Sequence, residues 1–182
     1  MEEILVLIII IFLTFGLGVE DINFPEVIEK DEVSVEEDKV TGNEEIEEKK
    51  EDKDNIRKIF QDSITGNSSI NLNTESGNIH SFFKGSIEGN AHINLTSRNG
   101  DIYVKFFDKI AGNVKINIKT YRGDIHLLFQ DKLLGNSNIN VGSSSNIILY
   151  NGKNSLQRFN ITVDSGRVKY KNKSRFRDSW TD

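Results

Sequence analysis

The chain has no cysteine, and only one proline, one methionine and one tryptophan in 182 residues. Without thiols, disulfides, thiolate metal sites and cysteine nucleophiles are excluded. The compartment stays open, because an extracytoplasmic protein can do without disulfides. The scarce Pro and Met, set against many Ile, Asn and Lys, look like the usage of an AT-rich microbial genome. Apolar residues are also sparse, at 36%, and the shortfall is local. Residues 20–55 hold 16 Asp or Glu against 5 Lys, a net −11, and Glu2 and Glu3 give residues 1–19 a further −2. Since the whole chain carries −5, residues 56–182 carry +8. An acidic arm is joined to a basic domain, and the mean charge hides both.

Long apolar runs are missing except at residues 4–19, where Ile8 to Ile11 stand in a row. As a helix this segment would span roughly 24 Å, against a hydrocarbon core of about 30 Å. It suits a signal-peptide core or a short membrane anchor, with Gly16 and Gly18 as small residues before a cleavage site. The acidic start (Glu2, Glu3) argues against a secretory signal, and a buried core helix is the plain alternative. No Lys or Arg precedes Lys30 to hold this flank in the cytoplasm, so the remainder is expected outside the membrane, either anchored or secreted. Residues 20–55 read as an acidic flexible linker: runs such as Glu44-Glu45-Ile46-Glu47-Glu48 cannot bury enough apolar area to offset ordering entropy.

From residue 56 onward a period of 23 residues governs the chain. Phe60, Phe83, Phe106 and Phe129 form one column, and Ile64, Ile87, Ile110, Leu133 and Leu156 a second. Ile70, Ile93, Ile116 and Ile139 make a third; Ile79, Ile102, Ile125 and Ile148 make a fourth. Such a period marks a solenoid whose repeats bury apolar faces against their neighbours. Ile93 and Leu95 alternate with Asn94, and Ile102, Val104 and Phe106 with Tyr103 and Lys105, so each strand buries one face. Copies start at Gly66, Gly89, Gly112 and Gly135, and a worn fifth runs from Phe159 to Val168. The expected fold is all-β: a single-chain β-solenoid over residues 56–170, with two short strands per repeat and about five coils. Residues 54–59 and a basic tail at 171–182 are expected to cap its ends.

The recurring turns Ser76-Gly77-Asn78-Ile79 and Asn99-Gly100-Asp101-Ile102, with the strands Ile70-Asn71-Leu72 and Ile93-Asn94-Leu95, carry a resemblance. Over about residues 60–170 the chain resembles the bacterial and archaeal toast-rack, adhesin-like domains. The resemblance implies a short β-solenoid, often standing outside a membrane segment and found in cell-envelope stress-sensing proteins. It implies no catalytic residues. In the fourth copy Asn146 stands where the turn glycine is expected, and Asn tolerates the left-handed region.

Arg167, Lys169, Lys171, Lys173, Arg175 and Arg177 occupy every second position, which in a strand places six cations on one face and Val168, Tyr170 and Phe176 on the other. The stripe suits an anionic lipid surface or polyanion; it equally suits an edge strand that must resist aggregation. The Asn71, Asn94, Asn117 and Asn140 column reads as an amide ladder, or as a surface for sugar hydroxyls. Asp101 and Asp124 recur one coil apart, about 5 Å, a separation at which carboxylates can run a glycosidase or hold Ca²⁺. Asn78 in the first copy favours ordinary turn chemistry. His80 and His126 lie two coils apart, roughly 10 Å, too far to share a metal, and His92 falls in another column.

These readings converge on a non-catalytic extracytoplasmic binding or sensing module at the cell envelope, without a cofactor. Its expected partner is an envelope protein or an anionic surface or polymer, with residues 4–19 engaging the membrane. Nucleic acid is not expected, since the apolar segment would put the domain across a membrane from it. The alternatives are a structural or adhesion component acting by self-association, and a carbohydrate-active β-helix enzyme using Asp101 and Asp124.

Overall fold

The computed structural model describes residues 36–38, 44–50, 54–150 and 159–171. The apolar segment 4–19, Leu156 and the tail from residue 172 lie outside the described residues.

Among the described residues thirteen strands follow one another: β1 (Glu36–Asp38), β2 (Glu45–Lys50), β3 (Ile56–Phe60), β4 (Ser69–Thr74), β5 (Ile79–Phe83), β6 (Ile87–Gly89), β7 (His92–Ser97), β8 (Ile102–Phe106), β9 (Ile110–Gly112), β10 (Lys115–Thr120), β11 (Ile125–Phe129), β12 (Asn138–Leu149) and β13 (Ile161–Tyr170). Every pairing is parallel, and no helix occurs among the described residues. One sheet runs β1-β3-β5-β8-β11-β12-β10-β7-β4-β2, with β13 on β12; β6 and β9 form a second. This is a β-solenoid of about five turns.

The period sets the register. Ile70 pairs with Ile93 and Ile93 with Ile116; Ile79 pairs with Ile102 and Ile102 with Ile125. Parallel strands carry each residue above its counterpart at about 4.8 Å, so identical apolar side chains stack into continuous columns. Phe60, Phe83, Phe106, Phe129 and Phe159 form a stack with ring centroids 4.7, 5.0, 5.0 and 4.5 Å apart. Each buried Phe, Ile or Leu contributes roughly 1.5–3 kcal/mol, which lets a narrow core hold so many short strands. The connector after the second expected strand holds a third, short one: β6 pairs with β9, and Ile64 and Leu133 extend that face by single bridges to Ile87 and Ile110.

Turn glycines are dictated by the neighbouring coil. At Gly89 φ is +93°, and a Cβ there would lie 2.6 Å from the Gly66 carbonyl oxygen. Buried hydroxyls close the opposite corner: Ser97 Oγ donates to Gly77 O at 2.9 Å, Thr120 Oγ1 to Gly100 O at 2.8 Å, and Ser143 Oγ to Gly123 O at 2.7 Å.

Three expectations are corrected. Ile125 pairs with Ile147, while Ile148 pairs with His126 on the outward side. The fourth turn is one residue shorter than the others, so β12 runs through it as one twelve-residue strand. Asn146 therefore takes the position of Asp124 rather than that of the turn glycine, and Asn160 is the described non-glycine residue at positive φ, 44°. The second correction concerns the acidic linker, expected to be flexible throughout 20–55. Its Glu45–Lys50 portion forms β2 in register with β4, and β1 pairs with β3. The existing sheet edge supplies the backbone partners that an isolated acidic peptide lacks. Ile46 packs on the core, and Glu48 forms ion pairs with Lys58 at 3.1 Å and Lys50 at 3.7 Å. Third, residues 54–59, expected as a cap, instead supply most of β3, and Ile56 is fully buried at the start of a core column.

Candidate functional site

Strand β13 carries the part of the cationic stripe that lies within the described residues. Arg167 pairs with Asn146, Lys169 with Ile148 and Tyr170 with Leu149, so Arg167 and Lys169 extend outward columns of the solenoid. Lys171 follows, its amide donating to Leu149 O at 2.9 Å and its Nζ lying 5.9 Å from the Tyr150 ring. Arg167, Lys169 and Lys171 are all exposed, while Val168 between them packs partly against the core. The expected alternation thus holds over these positions, except that Tyr170 remains 38% exposed at the open end. Lys173, Arg175 and Arg177 lie outside the described residues. Strand β13 pairs on one side with β12, and no described strand covers its other edge.

Asp101 and Asp124 act on backbone. Asn78 N donates to Asn55 Oδ1 at 2.8 Å, Asp101 N to Asn78 Oδ1 at 2.8 Å, Asp124 N to Asp101 Oδ1 at 2.7 Å, and Asn146 N to Asp124 Oδ1 at 3.0 Å. Each side chain thus caps the turn of the next coil. Amide and carboxylate do the same work there, which explains why Asn and Asp interchange at this place. Two amide ladders run up the other faces. Asn94, Asn117 and Asn140 each donate Nδ2 to the Oδ1 of the Asn one coil below, at 2.8, 2.8 and 3.1 Å. Asn90, Asn113 and Asn136 repeat the pattern on Asn67, at 2.9, 3.0 and 3.4 Å.

His80 and His126 are separated by a ring. The His80, Tyr103 and His126 rings stack at 4.8 and 4.3 Å, and His126 Nδ1 lies 2.9 Å from the Tyr150 hydroxyl. Burial first, and the Arg57 charge second, push the His80 pKa down to about 4. Burial also lowers His126, against the opposing pull of Asp101 and Asp124. Tyr103 is raised to about 12, by burial first and then by Asp101, whose Oδ2 accepts from its hydroxyl at 3.3 Å. His92 is exposed on a different face. Among the described residues no cluster of three or more His, Asp or Glu is placed to hold a metal ion.

Two features went unread in the sequence. Ile59, Phe82, Leu128, Ile148 and Tyr150 form a second apolar cluster on the outward side of the β3-β5-β8-β11 sheet, all at most 5% exposed. Its signal was available in the doublets Ile59-Phe60, Phe82-Phe83 and Leu128-Phe129, which break the one-sided alternation. The other is an open groove of about 730 Å³ where β4, β7 and β10 enter their turns, with Tyr121 in its wall. Tyr121 is the most exposed large apolar side chain among the described residues, at 54%. An aromatic at a turn whose counterparts are Glu75 and Arg98 was the available clue.

No protein family, curated protein or solved structure matches this chain.

Proposed function

We propose that the chain is a non-catalytic binding module, held or released outside a membrane by its apolar N-terminal segment, that recognises an anionic surface or polymer through β13. One observation carries the reading: Arg167 and Lys169 stand exposed at successive outward positions of β13, and exposed Lys171 follows directly after its last residue. Like charges fixed on one rigid strand attract a polyanion more strongly than the same charges scattered, and each cation near an anionic surface is worth about 1 kcal/mol. The basic balance of residues 56–182 and the resemblance to toast-rack domains support the same assignment. Retention of the full chain on immobilised polyglycerol phosphate should fall with rising salt. Changing Arg167, Lys169 and Lys171 together to Ser should weaken binding about 100-fold, following from three such contributions. Equal retention of wild type and variant would sink the proposal, as would no retention at low salt.

A second reading draws on the uncovered edge of β13, which offers backbone donors and acceptors to another copy of the chain. In that case the apparent mass by size exclusion should rise with concentration. The same triple Ser variant should then associate more strongly, because the charges that oppose edge pairing are gone.

A further inference from the structure

The groove at the β4, β7 and β10 corners takes none of its lining from β13. Three neighbouring coils build it, each contributing different chemistry at the same register. At the first turn position stand Glu75, Arg98 and Tyr121, and at the next Asn99 and Arg122. Thr96 and Lys119 are outward residues of β7 and β10 in register with each other. The repeat therefore does not explain what is there: a column occupied twice by charged residues next presents an exposed aromatic.

The electrostatics of the groove are cationic. Arg98 is partnered, its Nη1 lying 3.2 Å from Glu75 Oε2. Arg122 is exposed and forms no ion pair with a described residue. Lys119 Nζ lies 4.8 Å from the Tyr121 ring centroid, which sets a cation at the aromatic surface. Asn99 Nδ2 is tied to Glu75 O at 3.2 Å, which leaves its Oδ1 as an acceptor, and Thr96 adds a hydroxyl that donates and accepts. A flat ring with little side-chain freedom, hydroxyl and amide groups in the same groove wall, and a guanidinium matched to carboxylate suit one kind of ligand. It needs one apolar face, a rim of hydroxyls and a carboxylate. The groove volume falls in the range of small-molecule sites, roughly 300–1,000 Å³.

We propose that this groove binds an acidic saccharide, a uronate-type sugar unit whose ring packs on Tyr121 and whose carboxylate pairs with Arg122 and Lys119. Inorganic phosphate would engage the cations and leave Tyr121 idle. An acidic peptide would use the same cations without needing Thr96 or Asn99. Calorimetric titration of the full chain with oligogalacturonate tests the assignment, beside a neutral oligoglucoside, inorganic phosphate and oligoglutamate. Oligogalacturonate should bind at least tenfold more tightly than the other three. Tyr121→Ser and Arg122→Gln should each weaken it at least tenfold in a chain that also carries Arg167→Ser, Lys169→Ser and Lys171→Ser, where the β13 stripe is removed. That background separates this site from β13, since either can fail alone. Binding that survives Tyr121→Ser and Arg122→Gln would overturn the proposal. So would equal affinity for the neutral sugar, for phosphate or for oligoglutamate, or no saccharide binding by the wild type.

Discussion

His80 turns burial into pH dependence. Its folded-state pKa of about 4 lies below the ordinary 6.5, so between these values the unfolded chain takes up a proton that the folded chain refuses. Its contribution is therefore complete above about pH 6.5 and is lost as pH falls toward 4. From pH 7.5 to 4.5 this one group should cost about 2–3 kcal/mol, at about 1.4 kcal/mol per pKa unit. Urea unfolding of wild type and His80→Gln at both pH values checks it: the variant should lose less stability on acidification by that amount. Identical losses would mean that groups other than His80 set the acid sensitivity. A separate residue-scale constraint sits at Gly89, where positive φ and the Gly66 carbonyl together exclude a side chain. Gly89→Ala should destabilise by about 2 kcal/mol or more. Gly142→Ala, whose Cβ would meet Ser165 Oγ at 3.3 Å, should cost under about 1 kcal/mol; urea midpoints of the pair decide it.

Among elements, β2 best separates what local sequence suggests from what the sheet imposes. Its charges oppose independent structure, yet Ile46 falls in register with Ile70 and the backbone bonds run at full length: Ser69 N to Glu44 O at 2.9 Å and Glu75 N to Lys50 O at 3.1 Å. Glu48 meets Lys58 across the interior of the first coil, where the next coil carries Leu72 and Ser81 and the following ones carry apolar pairs such as Leu95 and Val104. This polar closure makes the N-terminal end a poor platform for another apolar coil. Ile46→Asp should release the strand and cost about 1–3 kcal/mol, the value of a buried isoleucine. Hydrogen exchange gives the element-level readout: the Ser69 and Glu75 amides should lose protection while Asn138, bonded to Val114 O at 3.0 Å, keeps it. Unchanged exchange at Ser69 and Glu75 would show that β2 needs no Ile46. The columns of Phe60 and Ile70 were legible because a period of 23 repeats the same side chain; β2 was not, because Ile46 is its one apolar residue and its partner lies beyond the acidic run.

At the largest scale, the described solenoid is close to one-dimensional, each coil touching only its neighbours in the stack. Removing residues 89–111, one complete 23-residue coil, should leave a folded protein, because Glu88 would join Gly112 and Ile70 would meet Ile116 in the same column. Circular dichroism should keep its β signature and melting should remain cooperative at a lower temperature. Removing residues 89–108 instead would shift every later residue out of register and should abolish folding. If both deletions behaved alike, stacking register would not be what holds the solenoid together.

The sequence alone determined the solenoid, its period, its Phe and Ile columns and the corners where glycine is required. Those follow from identical residues at a fixed spacing, which only stacked parallel strands can use. It also placed the cations of β13 on alternate positions, because period-two alternation is a local property of a strand. What it could not determine were features that depend on position along the stack or around the coil. The shortened fourth turn moved Ile147 into the core column and Ile148 outside it. The first coil recruited β2 from an acidic run. The groove at Tyr121 draws on residues from three coils that are distant in the chain. Tertiary structure decided these because each depends on which residues become neighbours across coils, and a single repeat carries no record of that.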